Sequence, residues 1–162
     1  NITDILKSNS NNVEQRAEQI VSELRASKKE IEQLKGEAAM QVALQAMENA
    51  VEFKGLKVIV NSFENTSMES LKEMAQKVID KYDNAVVLFG GTKDGKINYV
   101  SACGKEAIVR KAHAGNIVKQ VAQISGGSGG GKPSFAQAGG KDLSKFDDSI
   151  KQAIEIIKSI ID

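Results

Sequence analysis

One glycine-rich stretch carries the residue types best suited to binding a ligand: residues 125–140, with the sequence SGGSGGGKPSFAQAGG. It contains half of the chain's 14 glycines and its only proline, Pro133. Glycine allows a ligand to approach the backbone closely, and consecutive glycine N–H groups can form a nest that binds an anion. Lys132 would add a positive charge suited to a phosphate. Because Gly/Ser spacers are usually more uniform in sequence, we predict an ordered loop that faces a ligand.

This stretch differs from the two common phosphate-binding motifs. A Walker loop has Gly-Lys followed by Ser or Thr after a strand, whereas Pro133 follows Lys132 here, and a dinucleotide fingerprint starts a helix after a strand. The groups that remain available to bind a phosphate are backbone N–H groups and basic side chains at turns and helix starts. A solvated surface explains any one of those charges equally well. These side chains are Lys93, Lys96, Lys105, Arg110, Lys111 and Lys119.

Residues suited to catalysis or metal binding are few. The sequence contains no paired carboxylates, zinc-ligand spacing or Ser/His/Asp arrangement that indicates a reaction. The single histidine, His113, lies near Arg110 and Lys111 without an acidic neighbour in sequence, so we expect a surface residue. The single cysteine, Cys103, is expected to be a small buried residue. We therefore expect neither catalysis, a metal nor a cofactor in this chain.

Composition and charge narrow the classes of function. The net charge of the 162 residues is +1, so a basic surface requires local clustering of lysines and arginines. Aromatic residues make up 4% of the chain and tryptophan is absent, which argues against reading single-stranded bases by stacking. One cysteine, no signal peptide and no apolar run of membrane-spanning length predict a cytoplasmic protein without a membrane partner. The chain starts at Asn1 rather than at a methionine, which suggests a piece of a longer protein.

The first third of the chain is patterned as a helix. Between residues 13 and 38, apolar and small residues recur at alternating spacings of four and three, as in the seam of a coiled coil. Asn11 and Asn12 are expected to cap this helix. We predict a helical arm over residues 1–53, which pairs with a second copy or folds back near Gly36 as a helical hairpin. The larger seam residues are Ile20, Leu24, Ile31 and Leu34.

Residues 54–162 are predicted to form a small α/β domain, bordering on α+β, with a short sheet flanked by helices. Strands over residues 56–63 and 85–89, joined by an amphipathic helix over residues 67–82, predict a parallel crossover. A KDGK turn at residues 93–96 predicts a hairpin to a third strand. Two further helices are expected at residues 114–124 and from about Lys145 to the end of the chain, with the glycine loop between them.

Three short segments give a more specific resemblance. Residues 129–133 (GGGKP), 136–140 (AQAGG) and 111–119 (KAHAGNIVK) resemble the DHHA1 domain family, in particular the C-terminal domains of bacterial alanyl-tRNA synthetases. The resemblance covers essentially the whole chain, the arm less specifically than the domain. Many members of the family have arginine where Lys132 stands, which puts a bidentate contact to a phosphate in doubt here.

The resemblance implies that this chain does not catalyse a reaction but belongs to an enzyme, an alanine–tRNA ligase. It implies binding to the outer corner, or elbow, of tRNA, which assists the aminoacylation and editing domains of the same protein. In some members of the family the arm also supports a homodimer. Together with the glycine and lysine placement, it predicts as RNA-binding residues Gly129, Gly130, Gly131, Lys132, Gln137, Gly139, Gly140, Lys105, Arg110, Lys111 and Lys119.

Two alternatives from other classes stay open. A substrate-binding domain of a DHH-type phosphoesterase would be revealed by a DHH metal-ligand motif upstream of this segment. A pure oligomerisation module would form a tight dimer without affinity for RNA. An independent enzyme is the least favoured alternative, because the sequence indicates no nucleophile, base or metal site.

Overall fold

Pairs of strands are separated by helices along most of the chain. The computed structural model describes residues 12–161, apart from the side chains at positions 35, 36, 39, 40 and 43. Within this range the helices are α1 (Val13–Glu48), α2 (Met68–Lys81), α3 (Lys105–Val109), α4 (Ala114–Ile124) and α5 (Phe146–Ile160), with a 3-10 turn at Leu143–Lys145. The strands are β1 (Val51–Phe53), β2 (Leu56–Glu64), β3 (Ala85–Lys93), β4 (Lys96–Cys103), β5 (Ser128–Gly131) and β6 (Phe135–Gly140). The predicted α/β fold class is confirmed.

α1 is one continuous helix of 36 residues that passes through Gly36. The alternative of a helical hairpin turning at Gly36 is therefore wrong. The carbonyl oxygen of Asn12 accepts a hydrogen bond from the amide of Arg16 at 3.0 Å, whereas the other predicted capping residue, Asn11, lies outside the described residues. The chain divides into two compact units, and the boundary between them lies inside α1, between Ala38 and Ala39.

The second unit is built on a mixed sheet with the strand order β1-β2-β3-β4-β6-β5. β2 and β3 are parallel, with Val58 opposite Val86, because α2 crosses between them as predicted. The Ser67 hydroxyl caps α2 by accepting a hydrogen bond from the amide of Ser70 at 3.2 Å. Asp94 and Gly95 both have positive φ and close the predicted β3–β4 hairpin, since such a turn matches the twist of its strands.

The two faces of the sheet bury separate sets of apolar side chains. One face packs against α4 and α5, with Tyr99, Ile117 and Ile157 among its fully buried residues. The other packs against α2 and the last residues of α1, and it contains Phe89 and Ala46. The centre of the sheet is thus covered on both sides, as expected for strands as apolar as β3.

The glycine-rich stretch is ordered, as predicted, but it forms a β-hairpin, so the prediction of a loop is wrong. β5 and β6 pair antiparallel, β6 pairs with β4, and β5 forms the edge of the sheet. Pairing with β6 requires glycine at two positions of β5 for a steric reason. A Cβ atom at Gly131 would lie 2.7 Å from the Cβ of Ala136, and one at Gly129 would overlap the Cβ of Ala138. Within the stretch, positive φ occurs only at Gly126. These glycines therefore allow close strand pairing instead of forming an anion-binding nest.

Candidate nucleic-acid interface

The turn between β5 and β6 lies between the end of β4 and the start of α4. The amide of Cys103 donates a hydrogen bond to the carbonyl oxygen of Ser134 at 3.0 Å, and the amide of Ala114 donates to that of Pro133 at 2.9 Å. The turn is closed by a bond from the amide of Lys132 to the carbonyl oxygen of Phe135 at 3.0 Å. Lys132 therefore projects from an anchored turn rather than from a free loop.

The first turn of α4 approaches β5 closely. A Cβ atom at Gly115 would lie 2.5 Å from the carbonyl oxygen of Gly131, so only glycine fits here without a shift. Lys119 is exposed on the side of α4 that faces away from the sheet, whereas Ile117, Val118 and Val121 are buried. α4 thus presents Lys119 to solvent, and Gly115 allows its first turn to pack closely against the edge strand β5.

His113 has a structural role that the sequence analysis missed. Its Nδ1 atom accepts a hydrogen bond from the amide of Asn116 at 3.2 Å, so the imidazole caps the N-terminus of α4. The side chain is half-buried. The cap orients the first turn of α4 against the β5–β6 turn.

The segment between α3 and α4 is a closed turn with a strained residue. The amides of Lys111 and Ala112 donate to the carbonyl oxygens of Ile108 and Ala107, both at 3.0 Å, which is the Schellman pattern of helix ends. Lys111 occupies the position that favours glycine and has φ of 64°. A non-glycine residue there costs about 1 kcal/mol, and such strain is often found at functional sites.

The guanidinium group of Arg110 is also held in place. It donates a 2.5 Å hydrogen bond to the carbonyl oxygen of Lys54, in the turn between β1 and β2. Arg110 remains exposed, so its charge faces solvent from a fixed position. The α3–α4 turn thus carries two exposed cations, Arg110 and Lys111, on an ordered backbone.

Cys103 is buried, as predicted. Burial raises the pKa of its thiol to about 12, and a hydrogen bond with the backbone of Ala114 offsets this only in part. Since the thiolate is the nucleophilic form, Cys103 is unreactive at neutral pH.

The predicted RNA-binding residues do not form a single cluster. One end contains the β5–β6 turn, the end of β4 and helix α3, and here the structure brings together Lys105, Arg110, Lys111 and Lys132, all exposed. We call these four residues the basic end. Gly140 lies at the opposite end, opposite Ile97 and near the β3–β4 turn, which carries Lys93 and Lys96.

An open face of the hairpin with few side chains separates these two groups. Ser128, Gly130, Gln137 and Gly139 share this face because they occupy paired positions in β5 and β6, and all four are exposed. A Cβ atom at Gly130 would meet nothing within 4 Å. The backbone of the hairpin is thus accessible to a large ligand beside Lys132.

Residues 12–161 include no cluster of three or more His, Cys, Asp or Glu side chains that could hold a metal ion. None of the helices described is long and apolar enough to span a bilayer.

No clear signal in the sequence indicated that Val109 would be exposed. Val109, the last residue of α3, is 84% exposed. α3 has only five residues, too few for its apolar spacing to show which side chain faces solvent.

Comparisons with known proteins match most of the chain. The model of the DHHA1 domain family matches residues 55–159. The chain is 38% identical over 158 residues to the alanine–tRNA ligase of Acetivibrio thermocellus, and 37% identical over 154 residues to that of Clostridioides difficile. These alignments cover 98% and 95% of this chain, which spans 18% of the length of each relative.

A solved structure is similar as well. The crystal structure of the C-Ala domain from Aquifex aeolicus alanyl-tRNA synthetase superimposes with a TM-score of 0.60 at 29% sequence identity. The match covers 67% of this chain and 97% of that domain.

Proposed function

The chain belongs to the DHHA1 domain family, as its motifs predicted, and we propose that it is the non-catalytic, tRNA-binding C-terminal part of an alanine–tRNA ligase. The similarity to two such ligases over nearly the whole chain supports this assignment. In the complete protein, this part would hold tRNA for the aminoacylation and editing domains. No cofactor is required for that role.

The observation that carries the proposal is the basic end. The net charge of the chain is only +1, yet four exposed cations lie at one end of the sheet, on a turn and a helix end fixed by backbone hydrogen bonds. Lysine and arginine bind nucleic acid mainly by neutralising phosphates and releasing their counterions. Such a local cluster favours a polyanion as the ligand, in spite of the nearly neutral composition.

The open face of the hairpin suits a folded RNA better than a single strand. Around Gly130 and Gln137 it offers accessible backbone and few side chains, so a sugar–phosphate backbone could approach closely. Paired RNA hides its base edges in a deep, narrow groove and is recognised by shape and phosphates. We therefore propose contact with the outer corner of tRNA, the elbow, with little sequence preference.

Equilibrium binding of tRNA to the chain at several salt concentrations tests this proposal. Neutralising roughly three to five phosphates predicts a log–log slope of about −0.7 to −0.9 for each phosphate. An RNA hairpin of equal length without the tertiary corner is the matched ligand, and it should bind more weakly. The proposal fails if the chain has no measurable affinity for tRNA at low salt, or if the hairpin binds equally well.

For the arm, we propose pairing with a second copy through the seam. Leu24, Ile31 and Leu34 are 53%, 52% and 56% exposed on α1, an unusual amount of apolar surface for one helix face. Ile20 is half-buried. Buried seam positions supply most of the energy of a coiled coil, so replacing Leu24 and Ile31 by polar residues should convert a dimer into a folded monomer. Unchanged mass in sedimentation would exclude this use of the seam.

A further inference from the structure

Val109 is the most exposed large apolar side chain in the part of the chain that the structure describes, at 84%. The next values in the second unit are 47% at Leu143 and 41% at Leu44. Single exposed apolar residues are common on protein surfaces, so exposure by itself indicates no function. The backbone and the charges around Val109 are what distinguish it.

The backbone on both sides of Val109 is fixed. Ala107 and Ala112 are buried in the core that lies under α4 and α5, and the amide of Ala112 donates to the carbonyl oxygen of Ala107. The amide of Arg110 donates to the same oxygen at 3.1 Å. Val109 therefore projects from an ordered helix end, and little conformational entropy would be lost if a ligand covered it.

The charges around Val109 are mostly positive. Lys105 and Glu106 lie four and three residues earlier on α3, both exposed, and Arg110 and Lys111 follow Val109 directly, so that three cations outnumber one carboxylate. A protein partner with an apolar patch would have to bury these charges, which is costly without matching acidic groups. An RNA supplies phosphates for the cations and apolar surface on its ribose rings and base faces.

We propose that Val109 contacts a ribose or a base face of the bound tRNA, between phosphates that are held by the basic end. This inference rests on the tRNA-binding function proposed above. Val109 then provides a part of the affinity that does not depend on salt, while the neighbouring cations provide the part that does.

Replacement of Val109 by serine tests the inference. The Kd for tRNA should rise about fivefold at every salt concentration, as expected when part of the buried area of a valine loses its apolar contact. The slope of log Kd against log salt should stay as in the wild type, because no phosphate contact is removed. Val109→Ala should fall between the two.

Leu143→Ser is the matched control. Leu143 is exposed and lies beside the β3–β4 turn at the other end of the sheet, with Thr92, Asp94 and Gly95 around it. This variant should bind tRNA as tightly as the wild type. Circular dichroism and thermal melting would show that both serine variants are folded, as their exposure predicts.

The outcomes separate this inference from the function on which it rests. If the wild type binds tRNA and Val109→Ser binds with the same Kd, the valine contact is refuted and the tRNA-binding function stands. A changed salt slope in Val109→Ser, or an equal loss in Leu143→Ser, would also refute the contact. If the wild type itself fails to bind, the proposed function is wrong.

Discussion

The amide of Ala114 donates a 2.9 Å hydrogen bond to the carbonyl oxygen of Pro133. This bond joins the first turn of α4 to the turn of the β5–β6 hairpin, and so places Lys132 at the same end of the sheet as the α3–α4 turn. Residues from three separate segments thereby form the basic end.

Two neighbouring glycines of β5 should respond differently to alanine. A Cβ atom at Gly129 would overlap Ala138, whereas one at Gly130 meets nothing within 4 Å, and φ at Gly130 is not positive. We expect Gly129→Ala to lower the free energy of unfolding by about 2 kcal/mol or more, and Gly130→Ala to change it little. Urea unfolding measures both. Equal effects would contradict the hairpin register.

Lys111→Gly should make the domain more stable and bind tRNA more weakly. Glycine adopts the φ of 64° at this position without strain, and the loss of a cation removes a phosphate contact. Lys111→Ala is the control, because it loses the same side chain but keeps the Cβ atom. We expect the glycine variant to be more stable than the alanine variant by about 0.5 to 1 kcal/mol, with equal affinities for tRNA. A less stable glycine variant would argue against backbone strain.

The stability of the domain should depend on Cys103 at alkaline pH. Burial raises the pKa of the thiol from 9.0 to about 12, so the folded chain keeps its proton where the unfolded chain loses it. The protonated thiol therefore contributes fully to the free energy of unfolding below pH 9. This contribution is lost as pH rises from 9 towards 12, by about 1.4 kcal/mol per pH unit. Cys103→Ala should lack this decline. Unfolding curves at pH 8, 9 and 10 compare the two, and parallel pH dependences would contradict the prediction.

Much of the fold follows from the sequence. Apolar β-branched runs indicated β2 and β3, and α4 lies at the predicted residues 114–124, because long periodic segments carry their own signal. β5 and β6 were missed because glycine has low strand propensity and no side chain to show alternation, so tertiary pairing with β4 decides their structure. β1 and α3 are too short for periodicity to show.

The candidate site was predictable in residue type but not in arrangement. Charge and glycine content pointed to Lys132 and Lys111, and the family motifs contain both. Their separation from Gly140 depends on strand register, which places Phe135 opposite Ala102 and Gly140 opposite Ile97. Nothing in the sequence distinguishes Val109 from a buried valine.

The most direct test of the account is the salt dependence of tRNA binding by Lys132→Ala, with Lys96→Ala at the opposite end of the sheet as the control. Both lysines are exposed, so neither change should affect the fold. Lys132→Ala should bind all tRNAs more weakly and lower the magnitude of the log–log slope by about 0.7 to 0.9, the loss of one phosphate contact. Lys96→Ala should match the wild type. Wild-type affinity and slope in Lys132→Ala would remove the hairpin turn from the tRNA-binding site and contradict the central claim.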